Sequence, residues 1–232
     1  MTQTRQHIIR TPVLWYRSVQ DRLRQQRQKN ELEEWKKKGR PAPPPHIIKQ
    51  RMLVEYAGRF GLKILVETGT FYGDMVDAVK NTFERIYSIE LSKTLYQRAS
   101  ERFRNFSHIK LIQGDSGIEL GNLMAAIDKP ALFWLDGHYS AGETAKGEKD
   151  TPVFEELGHI FSTPEQGHAI LIDDARCFGT DPAYPTIDEL TGFIRSKRPK
   201  AGIEVRDDTI RITPSLYPNS FSSHRRVGPS ME

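Results

Sequence analysis

The chain has 232 residues, 37% hydrophobic and 28% charged, which suits one domain with room for an arm. It holds no run of about 18 apolar residues, which excludes a spanning helix, and no apolar signal core precedes a small-residue cleavage site near its start, so export is not expected. Charge is unevenly spread: residues 1–51 hold 13 Lys/Arg against 4 Asp/Glu, a net +9, whereas the remainder is net −5 within a formal total of +4.

In chain order, Val13 to Lys38 reads as one long helix, with Val13, Tyr16, Val19 and Leu23 at three- and four-residue spacing. Its first half carries a narrow apolar face with Trp15 beside it, and its second half is almost wholly polar. Gly39 and the run Pro41-Ala42-Pro43-Pro44-Pro45 end it as a stiff spacer. Three readings of this basic arm stand side by side: a solvated helix packing on the body or on a second copy in a homo-oligomer, an interfacial helix drawn to anionic membrane lipid, and a nucleic-acid arm. The last is disfavoured because the basic residues are not interleaved with regularly placed aromatics.

From Ile47 to Phe60 the pattern is helical, and the body then alternates. Strand-like runs are Lys63–Glu67, Arg85–Leu91, Ile109–Gln113, Ala131–Leu135 and His168–Ile172. Between them lie helical patterns at Asp74–Asn81, Lys93–Phe103, Ile118–Ile127 and Pro152–Phe161, followed by Thr186–Arg195. Gly202–Val205 and Thr209–Thr213, joined across Asp207-Asp208, read as a closing strand pair. Strands alternating with helices mean right-handed βαβ units. The expected fold class is therefore α/β: a Rossmann-like, doubly wound, mostly parallel seven-stranded sheet with a C-terminal antiparallel pair and an N-terminal helical arm. The division expected is 1–45 arm and spacer, 46–213 body, and 214–232 flexible tail rich in Pro and Ser.

The stretch Val66-Glu67-Thr68-Gly69-Thr70-Phe71-Tyr72-Gly73-Asp74 is a strand, a glycine turn and a helix start, where free backbone N–H groups can meet a polar ligand. Its spacing is E-x-G-x-x-x-G. Phe71 stands where a dinucleotide fingerprint needs its middle glycine, which disfavours a pyrophosphate cofactor. Glu67 is placed to take a cationic amine, and a ligand cationic at one end with a ribose further on is S-adenosylmethionine. A glycine turn after a buried strand also occurs for packing alone.

In such a sheet ligands sit beyond the C-terminal strand ends. Strand two ends at Glu90, 17 positions after Gly73, where a carboxylate can accept both ribose hydroxyls. Strand three ends in Gly114-Asp115-Ser116, where Asp115 can take an adenine amino group. Strand four ends in Asp136-Gly137-His138-Tyr139 and strand five in Asp173-Asp174. Packing alone does not require acidic or histidine residues after five successive strands. The expected donor-binding set is Glu67, Gly69, Thr70, Gly73, Glu90, Asp115 and Ser116. Asp173-Asp174 also fits a helix cap or turn, and His138 a structural hydrogen-bonding histidine. Cys177, the only cysteine, excludes an internal disulfide, fits a reducing cytoplasm and reads as packing.

Residues 61–175 resemble class I S-adenosylmethionine-dependent methyltransferases, and within them most the macrocin O-methyltransferase group, which methylates sugar hydroxyls with a divalent metal. Val66-Glu67-Thr68-Gly69 with Gly73 is similar to that group's first motif, and Leu135-Asp136-Gly137-x-Tyr139 and Ile172-Asp173-Asp174 to its metal-site motifs. The resemblance implies Asp136, Asp173 and Asp174 as ligands of Mg2+ or another divalent cation. The group usually has an acidic residue two after the first ligand, where this chain has His138.

An alkyl hydroxyl reacts poorly unaided at neutral pH, so a hard cation on those oxygens and a base, His138 with Asp136, would supply what the transfer needs. The polar stretch Tyr139–Asp150 reads either as a lid over the acceptor or as an ordinary loop. The expectation is a cytoplasmic S-adenosylmethionine-dependent O-methyltransferase acting on a sugar or glycoconjugate acceptor, as in polysaccharide biosynthesis, with peripheral contact to the inner membrane face through the arm as a further option. The alternatives are a metal-independent small-molecule methyltransferase and a nucleic-acid-binding protein.

Overall fold

Short apolar runs, each too short for a helix and bounded by turn residues, form the central strands. The computed structural model describes residues 12–137, 151–164 and 166–214. Their order is α1 (Pro12–Lys37), α2 (His46–Phe60), β1 (Ile64–Thr68), α3 (Asp74–Val79), β2 (Arg85–Glu90), α4 (Lys93–Phe103), β3 (Ile109–Gln113), α5 (Ser116–Met124), β4 (Ala131–Leu135), α6 (Val153–Ser162), β5 (Ala169–Ile172), α7 (Ile187–Lys197), β6 (Gly202–Arg206) and β7 (Thr209–Thr213). The seven strands lie in the order β3-β2-β1-β4-β5-β7-β6. β1 to β5 pair in parallel, and β7 pairs antiparallel with both β5 and β6. This is the expected doubly wound sheet with its closing pair.

Because side chains alternate along a strand, the sheet feeds two cores. Ile64, Val66, Phe133, Leu135, Ile170 and Ile172 pack with Leu120, Leu157 and Leu190 of α5, α6 and α7. On the other face Leu65, Leu132, Trp134 and Leu171 pack with Leu53 and Tyr56 of α2, Val76 of α3 and Ala99 and Phe103 of α4. All five residues of β1 and of β4 are buried, as a strand covered on both faces requires.

Element boundaries moved where caps decide them. α5 starts at Ser116, ahead of the expected Ile118, because the Asp115 carboxylate accepts from Gly117 N at 2.8 Å. Thr186 is the N-cap of α7 rather than its first residue, and forms a capping box with Glu189. The β6–β7 turn holds Asp207 and Asp208 at φ +50° and +61°, the left-handed pair that a two-residue hairpin needs.

The second half of α1 is less solvated than its polar sequence implies. Leu32 and Trp35 are buried, and the Trp35 indole N–H donates to Pro41 O at 2.7 Å, folding the spacer back on the helix end. Leu23 of the expected apolar face is exposed. The side chains of Val13, Tyr16 and Val19, the lid stretch Tyr139–Asp150 and all but Pro214 of the tail lie outside the described residues.

Candidate functional site

The strand order reverses between β1 and β4, so the crevice opens past their C-terminal ends. There Asp136 N donates to Thr68 O at 3.1 Å, Gly69 N to Ile89 O at 2.9 Å and Asp173 N to Leu135 O at 3.0 Å, tying the ends of four strands together. Gly69 has φ +83°, and a Cβ there would collide with the Asp136 carbonyl oxygen. Gly73, at φ +77°, would put a Cβ 2.6 Å from the Phe103 ring. Both glycines of the expected motif are thus demanded by backbone angle and by space. The turn between them leaves Phe71 and Tyr72 exposed, ring to ring at 4.1 Å.

Glu90 ends β2 beneath this turn. Its two oxygens accept from Phe71 N at 2.8 Å and Ser92 N at 2.9 Å, and burial raises its pKa. Each oxygen keeps a second lone pair for a ligand hydroxyl. Asp115 spends one oxygen capping α5, and Ser116 follows it, buried. Gly137 packs against both sides of this end: a Cβ there would stand 3.1 Å from Thr68 Oγ1 and 3.3 Å from Ser116 Oγ.

Glu67 is enclosed rather than presented to an open cleft. It is 1% exposed, accepts from Ser88 Oγ, and burial pushes it up to about 8, so it is mostly protonated at neutral pH. Ser88 and Thr70 share a hydroxyl–hydroxyl bond of 2.5 Å. An ammonium reaching Glu67 would have to draw it into ionisation.

Alternation places Glu67, Ser88, Glu90, Asp136 and Asp173 in phase with Leu65, Ile86, Trp134 and Leu171, toward the face covered by α2, α3 and α4. Asp136 is partly exposed yet set deep at the strand ends. Desolvation there, and then the charge of Asp173, raise it well above the ordinary carboxylate range. Asp173 is 1% exposed and pushed up to about 6, burial outweighing its cationic neighbour.

That neighbour is Lys49 of α2. Its ammonium donates to Asp173 Oδ2 and lies 3.7 Å from Asp174. Burial lowers its pKa less than the carboxylates raise it, so the net shift is upward and the ammonium stays charged. Asp174, at φ +56°, starts the single 3₁₀ turn Ala175–Cys177, and its carboxylate pairs with Arg176 at 2.9 Å. Arg176 also holds Asp208.

The divalent ion expected on Asp136, Asp173 and Asp174 finds no support in this arrangement. Lys49 engages one oxygen of Asp173, Lys49 and Arg176 both face one oxygen of Asp174, and among the described residues no three acidic, His or Cys side chains are grouped to hold a metal. His138 lies outside the described residues. Cys177 is half-buried, and desolvation raises its thiol pKa, consistent with packing.

Sequence reasoning missed three residues that shape this end of the sheet. Lys49 stands in line with Leu53, Tyr56 and Phe60, the buried stripe of α2, and a lysine in an apolar stripe is the signal that could have found it. Ser88 is two before Glu90 and therefore on the same face. Glu156 shares the buried stripe of α6 with Val153, Leu157 and Ile160. It is fully enclosed beside Thr68 and Ser116, and burial pushes it up to about 7.

Several solved structures share this fold. The likeness is one of fold. An O-methyltransferase from Bacillus cereus, in complex with SAH, aligns with TM-score 0.54 and 13% identity over 80% of this chain and 89% of its own. A Podospora anserina methyltransferase bound to SAH aligns with TM-score 0.53 and 17% identity over 84% and 95%. An O-methyltransferase from Streptomyces achromogenes, in complex with SAM, aligns with TM-score 0.50 and 15% identity over 80% and 88%. No protein-family model matches the sequence, and neither does any curated protein.

Proposed function

We propose that this chain is an enzyme that transfers the methyl group of S-adenosylmethionine to a hydroxyl oxygen, with a sugar or glycoconjugate as acceptor. The observation that carries the donor half is Glu90. It is a carboxylate held by two backbone N–H groups at the end of β2, directly under a glycine turn that no side chain could replace. This is the acceptor pair that two ribose hydroxyls need, and the fold is one in which solved neighbours carry SAM or SAH.

Methyl transfer from a sulfonium is an in-line displacement, so the protein mainly aligns donor and acceptor and accommodates a proton. The glycine turn and Glu90 fix the donor. Asp136 and Asp173, just past the ends of β4 and β5, are the described carboxylates at hand for the acceptor's proton, and His138, two positions after Asp136, is the other candidate. The carboxylates of Asp136, Asp173 and Asp174 accept hydrogen bonds from hydroxyls, which suits a polyhydroxylated acceptor. The Lys49 pairing favours metal-independent transfer over the metal-assisted form. Nucleic acid stays disfavoured, because the basic residues of the arm are not interleaved with regularly placed aromatics. Among the described residues no helix is long and apolar enough to cross a membrane, and for the basic arm we retain peripheral contact with anionic lipid in the cytoplasm, or with a second copy.

The test is calorimetry with S-adenosylmethionine and its demethylated product. Wild type should bind both, and Glu90→Ala should bind more weakly by about 1–3 kcal/mol, the cost of leaving ribose hydroxyls without their acceptor. A wild-type chain that binds neither refutes the reading.

A further inference from the structure

Resting on the methyl-transfer reading, we propose that the acceptor end of the cleft carries its own cation: the Lys49 ammonium occupies the seat of a divalent ion, and with Asp173 it receives the acceptor's oxygen. Lys49 is not a loose surface lysine. It is 14% exposed by side chain, anchored in the stripe that continues through Leu53, Tyr56 and Phe60, and α2 lies on the sheet so that Tyr56 meets Arg211 of β7 while Lys49 meets Asp173, just past β5. Asp173 in turn is fixed by its backbone bond to Leu135 O at 3.0 Å. Two rigid elements therefore bring the charges together.

The pair is incompletely satisfied, and in a way that describes a ligand. An ammonium has three donors. Asp173 Oδ2 takes one, and Asp174, at 3.7 Å, is an ion-pair neighbour beyond hydrogen-bond range, so two donors remain. Asp173 Oδ1 is buried and has no hydrogen-bond partner among the described residues. A hydroxyl supplies both missing halves at once, donating its proton to Oδ1 and accepting from Lys49. When its oxygen bonds to the methyl carbon, the carbon–sulfur pair leaves on sulfur and the hydroxyl proton passes to a carboxylate oxygen. Lys49 opposes the negative charge that grows on the acceptor oxygen meanwhile. A divalent ion on these carboxylates would stand beside the ammonium and be repelled by its charge.

The probe is Mn2+ added to the full-length protein, its free concentration followed by electron paramagnetic resonance, with S-adenosylhomocysteine binding measured in parallel. Wild type and Lys49→Arg, which keeps the cation, should leave the free Mn2+ signal undiminished. Lys49→Gln should deplete it, and Lys49→Gln combined with Asp173→Asn should restore it. Mn2+ bound by wild type and lost in Asp173→Asn overturns the proposal, and so does a folded Lys49→Gln that gains no Mn2+. Should Lys49→Gln not fold, Mn2+ retention by wild type or Lys49→Arg still decides it. Product binding should be unchanged in every folded variant, because β1 to β3 hold the donor. If wild type fails to bind the product, the methyl-transfer reading falls separately, while the Mn2+ result still reports on Lys49.

Discussion

Glu67→Gln isolates the cost of burying a carboxyl at the end of β1. In the folded chain this carboxyl titrates near 8, against 4.5 for an ordinary glutamate. The direction is upward because burial disfavours the charged form. Below about pH 4.5 both folded and unfolded chains hold the proton, and the group is neutral toward stability. Between there and pH 8 the unfolded chain has lost the proton while the folded one keeps it, so stability falls by about 1.4 kcal/mol per pH unit. From pH 5.5 to 7.5 that is about 2.7 kcal/mol, or roughly 5–10 °C of melting temperature for a body of this size. Glutamine has nearly the same shape, still accepts from Ser88 Oγ, and cannot titrate. Thermal melts of wild type and Glu67→Gln across pH 5 to 9 should therefore converge at the acid end and diverge in the variant's favour up to pH 8, with a constant gap beyond. Glu156 and Asp173 contribute falls of their own in both proteins, so the difference between the two curves is the quantity to read. Parallel curves would refute the reasoning, since they would mean that Glu67 is ionised when folded.

Gly69→Ala should lose donor binding and destabilise the body by about 1–3 kcal/mol, because the added methyl meets the Asp136 carbonyl at a left-handed φ; calorimetry and melting check the two parts. Deleting residues 1–44 should leave cooperative melting and donor affinity intact, since neither core contains a residue of α1, and Pro45 must stay because its carbonyl accepts from Ile48 N at 2.8 Å. A molten truncated chain would show that the buried Leu32 and Trp35 belong to the body rather than to the spacer.

The sheet was legible in the sequence because its signals are local. Apolar runs of five residues, glycines at 69 and 73, and helical periodicity between strands each act within about fifteen residues. Glu67 could be placed at a strand end, but not how deeply it is enclosed. That depends on Ser88 of the neighbouring strand, which pairs with it in register, and on Trp134 across the other side. Lys49 was harder still. It precedes Asp173 by 124 positions, and their meeting is set by how α2 crosses the sheet, a matter of packing angle that no window along the chain contains.

Sequence reasoning saw the need for compensating charge at this end of the sheet but not the cations that folding brings there. Asp136, Asp173 and Asp174 at one cleft do require compensation, because like charges at that range disfavour ionisation of one another. A bound divalent ion, or retained protons, would meet that need. Folding brings Lys49 from the helix before β1 and Arg176 from the turn after Asp174, and each closes an ion pair with an acid of that cluster. Glu67 meets the same demand by keeping its proton. The body's net −5 is therefore not carried as an open anionic hole at the strand ends. With Lys49 as the proposed polarising cation, the charge is part of the chain itself, and the electrostatics of the cleft should not vary with the supply of free metal ions.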